Sequence, residues 1–155
     1  MENWIQWGVN AIIATLGVIS GWNLKKYSHK ILQDKKTINE LDEYLPYKTL
    51  KYIHEHDFGG AYRIELIQNI DMFLDNAKNP EFFFLDKKLE NLKINLIKLL
   101  YEFVHLLASN SNPTNDSCEI FKIRSINEWD KESDWHLIVK QIHDYADKIY
   151  ENYSQ

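Results

Sequence analysis

The chain has 155 residues, a formal net charge of −5, one cysteine and an aromatic content of 14%. The aromatic content excludes disorder over most of the chain, because disordered segments are poor in aromatic residues, and the acidic balance disfavours direct nucleic-acid binding, because a polyanion requires a basic surface. The single cysteine, Cys118, excludes an internal disulfide framework and agrees with a reducing compartment.

The first predicted element is a transmembrane anchor over residues 1–24. No charged residue occurs from Trp4 to Trp22, and roughly 20 helical residues cross a hydrocarbon core of about 30 Å. Trp4 and Trp7 are predicted to lie at one membrane interface and Trp22 at the other, because indole rings prefer the headgroup boundary. Two alternatives remain: a cleaved signal peptide, which would carry its positive charge in front of the apolar run, and a buried core helix.

Lysine residues set the predicted orientation of this anchor. Lys25, Lys26 and Lys30 follow the apolar run directly, and basic residues stay on the cytoplasmic side of a membrane. We therefore predict a single-pass protein of the bacterial inner (cell) membrane, with the N-terminus outside and the C-terminal domain in the cytoplasm. The same lysines are predicted to contact the membrane surface, which makes the lipid bilayer the first predicted partner.

One face of the anchor collects small and polar residues at steps of four, three and four: Asn10, Ala14, Gly17 and Gly21. Residues at this spacing share a helical face. Gly17 and Gly21 form a small-xxx-small pair that lets two helix backbones approach closely, and the Asn10 amide can hydrogen-bond to a neighbouring helix. This face predicts a homo-oligomer that packs inside the membrane. The alternative is that a short span merely tolerates glycine and asparagine.

The rest of the chain is predicted to form a stalk and one domain. Residues 25–45 have apolar positions at helical spacing without glycine or proline, which predicts a juxtamembrane stalk helix. Residues 46–155 are predicted to form an acidic cytosolic helical domain. Pro46 suits the first turn of its first helix, which Gly59 and Gly60 end.

Three further helices are predicted in this domain. One covers residues 61–78, a long one follows the N-cap Asp86, and the last begins at Asp134 after the cap Ser133. Residues 118–126 alternate apolar and polar positions, but a short strand there would lack an obvious partner. We therefore predict an all-α fold, an up-and-down bundle of about four helices whose two long helices form the central pair.

The densest cluster of ionisable residues comprises His54, His56 and Asp57. These residue types bind metals, but His54 and His56 project about 200° apart on a helix, and no third ligand has the correct spacing. We therefore predict no catalytic residue, no metal and no cofactor, and retain the three residues as a candidate ligand or partner site. The alternative is a helix C-terminus with Phe58 packed into the core.

Two further features are candidates for binding. Arg63 and Arg124 are the only arginines, and a guanidinium can hold a phosphate or carboxylate through two hydrogen bonds; a local ion pair is the alternative. Three phenylalanines, Phe82 to Phe84, are predicted to fold back over the core. An exposed cluster would instead mark a partner site or a second membrane contact.

The chain resembles a group of uncharacterised small bacterial proteins that have one membrane helix and a cytosolic helical domain. The resemblance lies in the order of the span, the stalk, the HDFGG turn, the segment NPEFFFLDKKLENLK and the segment HDYADKIYENY. In its layout, the chain is also similar to small membrane effectors of bacterial antiphage (antiviral) defence systems. These resemblances imply an anchored helical domain and transfer no activity.

These observations favour a membrane-tethered, non-enzymatic module that self-associates through its span. Its acidic domain is expected to bind a partner protein or a small signal. Two alternatives stay open: a passive anchor subunit of a larger complex, and a metal-dependent enzyme that uses His54, His56 and Asp57.

Overall fold

A computed structural model of the protein describes residues 25–114, 116–124 and 134–155. The predicted anchor lies outside the described residues, together with its packing face (Asn10, Ala14, Gly17 and Gly21), its interface residues (Trp4, Trp7 and Trp22) and the predicted cap Ser133. Within the described ranges, no helix combines the length and apolar character needed to cross a bilayer.

The described residues are mostly helical and include a small sheet. In chain order the elements are α1 (residues 25–44), α2 (Tyr47–Glu55), β1 (Ala61–Arg63), α3 (Ile64–Asn76), α4 (Lys87–Asn110), β2 (Ser111–Pro113), β3 (Ile120–Ile123) and α5 (Asp134–Tyr153). Helix α4 packs along α5, with α3 against α4 and α2 against α5. The two long helices therefore form the central pair that the sequence predicted.

Local signals explain where the helices begin. The Asp86 carboxylate accepts hydrogen bonds from the backbone N–H groups of Lys88 and Leu89, which is the predicted N-cap of α4. Pro46 occupies the N-cap position of α2 with φ −58°, a value that its ring fixes. Helix α2 ends at Glu55, shortly before the two glycines.

The sheet corrects the all-α prediction. Strand β3 lies between β1 and β2 and pairs antiparallel with both. Its partners are three-residue strands, one from the start of the helix predicted over residues 61–78 and one from the polar run after α4. Strands this short show too little alternation to be recognised, and Tyr62 is the one buried residue of β1. The predicted third helix consequently begins at Ile64 and ends at Asn76.

The loop between α3 and α4 folds back over the core, as predicted for two of its phenylalanines. Phe82 and Phe84 are buried, whereas Phe83 is exposed. Hydrogen bonds tie this loop to α1: Thr37 Oγ1 donates to the carbonyl of Phe83 at 2.9 Å. Because Thr37 and Leu45, which directly follows α1, are both fully buried, the second half of α1 lies against the domain.

Candidate functional site

A groove lies where α2, β1 and the start of α3 meet, and we call it the Arg63 groove. It encloses about 510 Å³, within the range of roughly 300–1,000 Å³ that small-molecule pockets occupy. Its lining is mixed, with polar side chains on one part and apolar side chains on another: Lys48, Thr49, Tyr52, Arg63, Glu65 and Asn69, then Ala61, Tyr62, Leu66 and Ile120.

The short strand β1 determines which side chains reach the groove. Successive side chains of a strand point to opposite faces, so Tyr62 points inward and Arg63 outward. The Tyr62 hydroxyl donates to Ser111 Oγ at 2.8 Å and is buried, which fixes β1 to β2 across the sheet. Helix α3 begins at the next residue, where the backbone N–H of Ile64 donates to the carbonyl of Glu119 at 2.9 Å. Arg63 is thereby held at a strand-to-helix junction.

Two cations of the Arg63 groove have no partner among the residues that the structure describes. Within the described ranges, neither the Arg63 guanidinium nor the Lys48 ammonium forms a hydrogen bond or an ion pair, and both residues are exposed. Lys51, one turn further along α2, instead pairs with Glu55 at 3.8 Å. The groove also contains one carboxylate, Glu65, so its lining has a net positive charge in an acidic chain.

Tyr52 supplies an aromatic wall beside these cations. Partial burial raises the pKa of the Tyr52 phenol, while the nearby Arg63 charge acts in the opposite direction. The phenol therefore stays protonated at neutral pH and can donate a hydrogen bond. Its ring stacks on His56 with 4.8 Å between centroids, which limits the positions that the ring can adopt.

The groove is suited to a small anion that also has an apolar part. A guanidinium presents a planar fork that matches carboxylate and phosphate oxygens, and Lys48 of α2 adds a point charge to the same groove. Leu66 and Ile120 provide apolar surface next to the cations. An adjoining polar pocket of about 440 Å³ shares Arg63 and Glu65 with the groove, so Arg63 is accessible from two sides.

The predicted histidine cluster belongs to a different part of the structure. His54 lies about 3.1 Å from Asp147 through Nδ1 and Oδ1, and its ring stacks on Tyr150 at 4.3 Å. His56 points away from it, towards Tyr52 and Phe58. The two imidazoles therefore do not converge on a common ligand position, although His56 lies outside α2 and has an extended backbone, so the helical-spacing argument does not apply to it.

His56 occupies a partly apolar environment. Burial lowers the pKa of its imidazole, and smaller influences from Asp57 and from a hydrogen bond with the Ala61 backbone raise it. Its Nε2 atom is buried and has no hydrogen-bond partner among the described residues. The uncharged form of His56 is thus the one that this environment favours.

Asp57 and His143 stabilise the HDFGG turn (residues 56–60) against α5. The Asp57 carboxylate accepts a hydrogen bond from the backbone N–H of Gly59 at 2.9 Å, and His143 Nε2 accepts one from the N–H of Phe58 at 3.3 Å. A Cβ atom on Gly59 would lie 3.0 Å from Asp57 Oδ1 and 3.5 Å from the Trp135 ring. The polar side chains in this part of the chain therefore stabilise the turn.

The second arginine lies at the far end of β3 from the first. Arg63 pairs in register with Ile120, whereas Arg124 follows the last residue of β3. Its Nε donates to Asn112 Oδ1 at 3.0 Å and its backbone N–H donates to the carbonyl of Asn110 at 2.8 Å. The predicted candidate residues therefore do not form one site. Among them, Arg63 alone lines the groove.

The sequence did not single out Lys48, Tyr52 or Asn69 as site residues. Lys48 and Tyr52 are four residues apart, so they share a face of α2, but Arg63 is 15 positions from Lys48 in the sequence. No family model matches this chain, and no curated protein or solved structure resembles it at a significant level. Among the residues that the structure describes, no group of three or more His, Cys, Asp or Glu side chains could hold a metal ion.

Proposed function

We propose that the protein is a membrane-tethered, non-enzymatic module whose helical domain binds a small organic anion in the Arg63 groove. The observation that carries this proposal is a pair of cations, Arg63 and Lys48, that have no partner among the described residues and line a groove of small-molecule size. A phosphate or carboxylate would satisfy both cations. An apolar portion of the same molecule would contact Leu66 and Ile120.

The groove is close to the element that leads towards the predicted anchor. Lys48, Thr49 and Tyr52 belong to α2, and Pro46 alone separates the buried Leu45 from α2. A ligand that moves α2 would therefore act on α1 through a very short connection. We propose that anion binding biases the arrangement of α1, and through it the association of the anchors.

The anion-binding part of the proposal is tested with full-length protein in a neutral detergent. Thermal unfolding is measured with inorganic phosphate, pyrophosphate, nucleoside mono- and triphosphates and dicarboxylates. A ligand at 100 times its dissociation constant stabilises the folded state by about 2.7 kcal/mol. We expect at least one anion of this panel to raise the unfolding temperature of the wild type, because binding satisfies Arg63 and Lys48.

The two arginines provide a matched pair of variants for this test. Arg63→Gln removes the charge from the groove, whereas Arg124→Gln removes an equal charge at the other end of β3. The Arg124→Gln protein should retain the stabilisation and the Arg63→Gln protein should lose it. Equal stabilisation of both variants, or no stabilisation of the wild type by any anion of the panel, would contradict the proposal.

Self-association is tested through the predicted packing face of the anchor. Gly17→Leu should weaken cross-linking between protomers in membranes, because a larger side chain keeps the two backbones apart. Gly8→Leu is the matched control, since Gly8 lies off the face that contains Gly17. If Gly17→Leu cross-links as well as Gly8→Leu and the wild type, the packing face is wrong.

A further inference from the structure

Five lysines lie at the end of the domain where α1 begins. Lys25, Lys26 and Lys30 belong to α1, and Lys87 and Lys88 belong to the first turn of α4. The two helices meet there, because Lys30 Nζ contacts Asp86 Oδ2 at 2.8 Å. We call this surface the basic end. It contrasts with the net negative charge of the whole chain.

Lys87 and Lys88 lie in the first turn of α4, where basic residues are unfavourable. A helix N-terminus carries partial positive charge, so acidic residues stabilise it and basic residues do not. Within the described ranges, Lys87 and Lys88 form no ion pair that would offset this repulsion. Asp86 and Glu90 supply some negative charge in this turn, and an external anionic surface would add more.

Apolar side chains lie among these lysines. Tyr27 is 66% exposed and Leu85 is 40% exposed. Leu85 is held in place because its backbone N–H donates to the buried Asp34 carboxylate at 2.6 Å. Together with three basic side chains of α1, Lys26, His29 and Lys30, they surround a depression of about 490 Å³.

We infer that the basic end lies on the surface of an anionic bilayer, with Tyr27 and Leu85 between the lipid headgroups. Charge complementarity supports a lipid surface, because anionic headgroups attract clustered lysines. Continuity of the chain supports it too, since the uncharged residues from Trp4 to Leu24 directly precede Lys25. This inference rests on the tether in the proposed function. It adds that a loop 60 residues further along the chain also contacts lipid.

The test places a spin label on the loop of the full-length protein. Cys118, which is exposed, is replaced by serine, and Leu85→Cys provides the labelling site. Met72→Cys, at an exposed position of α3, is the control site. The proteins are incorporated into nanodiscs of neutral phosphatidylcholine or of phosphatidylcholine with about one third phosphatidylglycerol. Accessibility to a water-soluble nickel reagent and to oxygen is then measured.

In anionic discs, the label at position 85 should become less accessible to nickel and more accessible to oxygen, whereas the label at position 72 should not change. Each lysine near an anionic surface increases the docking equilibrium about fivefold. The double variant Lys87→Gln, Lys88→Gln should therefore weaken docking about 25-fold and restore nickel access. A second label, at Tyr27→Cys, should respond to the lipids in the same way as the label at position 85.

Three results would overturn the inference, and they have different meanings. If the protein enters the discs but the label at position 85 has equal nickel access in both lipids, the basic end does not contact the bilayer. If labels at position 85 broaden each other's spectra and are shielded from nickel equally in both lipids, a second copy of the chain covers this surface instead. If the protein enters neither type of disc, the tether in the proposed function fails together with the inference.

Discussion

The HDFGG turn and the Arg63 groove are neighbours in the chain, since the turn ends at the residue directly before β1. Their ionisable side chains differ in whether they have hydrogen-bond partners. In the turn, Asp57 and His143 accept hydrogen bonds from backbone N–H groups. In the groove, Arg63 and Lys48 have no such partners among the described residues. The dense run of ionisable residues therefore stabilises local structure, whereas the candidate site contains the two cations that lack a partner in the described ranges.

The largest effect that this comparison predicts is a loss of stability when a residue of the HDFGG turn is substituted. Phe58→Ala should lower the free energy of unfolding by about 3–5 kcal/mol, because Phe58 is fully buried and packs edge-on against Phe103 at 5.4 Å. Urea unfolding followed by circular dichroism measures it. Phe83→Ala, at an exposed position, is the control. A loss no greater than that of the control would show that the turn does not support the core.

A smaller effect concerns the carboxylate of the turn. Asp57→Ala should cost about 0.5–1.5 kcal/mol, the usual value of one hydrogen bond, because the backbone N–H of Gly59 loses its acceptor. In the groove, Arg63→Gln should change the stability by no more than about 0.5 kcal/mol, since the Arg63 side chain has no hydrogen-bond or ion-pair partner in the described part of the chain. The urea midpoints of Asp57→Ala and Arg63→Gln measure the two losses of stability. The reverse order would contradict the contrast between the two regions.

The pH dependence of stability gives a third comparison, because His56 belongs to the HDFGG turn. Burial lowers the pKa of His56 below its ordinary value of 6.5, so the unfolded chain binds a proton before the folded chain does. Stability should therefore be constant with respect to His56 above about pH 6.5 and should fall as the pH decreases below that value. Unfolding midpoints from pH 7.5 to pH 5 measure this dependence.

The variant His56→Gln should reduce this dependence, and His105→Gln, at an exposed position of α4, is the matched control. If His56→Gln and the wild type lose stability equally over this range, His56 is not the group that titrates.

The sequence predicted those features that depend on neighbouring residues. The start of α4 at Asp86 was predictable because a capping bond involves residues two and three positions away. The pairing of two long helices followed from their apolar periodicity. The helical content of the domain could therefore be anticipated from the chain alone.

The sheet and the groove were not predictable in this way. Strands β1 and β2 have three residues each and are defined by hydrogen bonds to β3, which lies far away in the sequence. Lys48 and Arg63 meet in one groove because the chain turns back after α2 and enters the sheet. Residue spacing predicts neither the pairing of the strands nor which cations lack a partner.

The most direct test of the central claim uses the fact that the chain has two arginines. Full-length protein labelled with 15N at arginine Nε gives two side-chain signals, which Arg124→Gln assigns. They are followed by NMR during titration with the anion that stabilises the wild type most. We predict that the Arg63 signal shifts and that the Arg124 signal, held by Asn112, does not. A stabilised protein in which the Arg63 signal stays unchanged would contradict the assignment of the groove as the anion site.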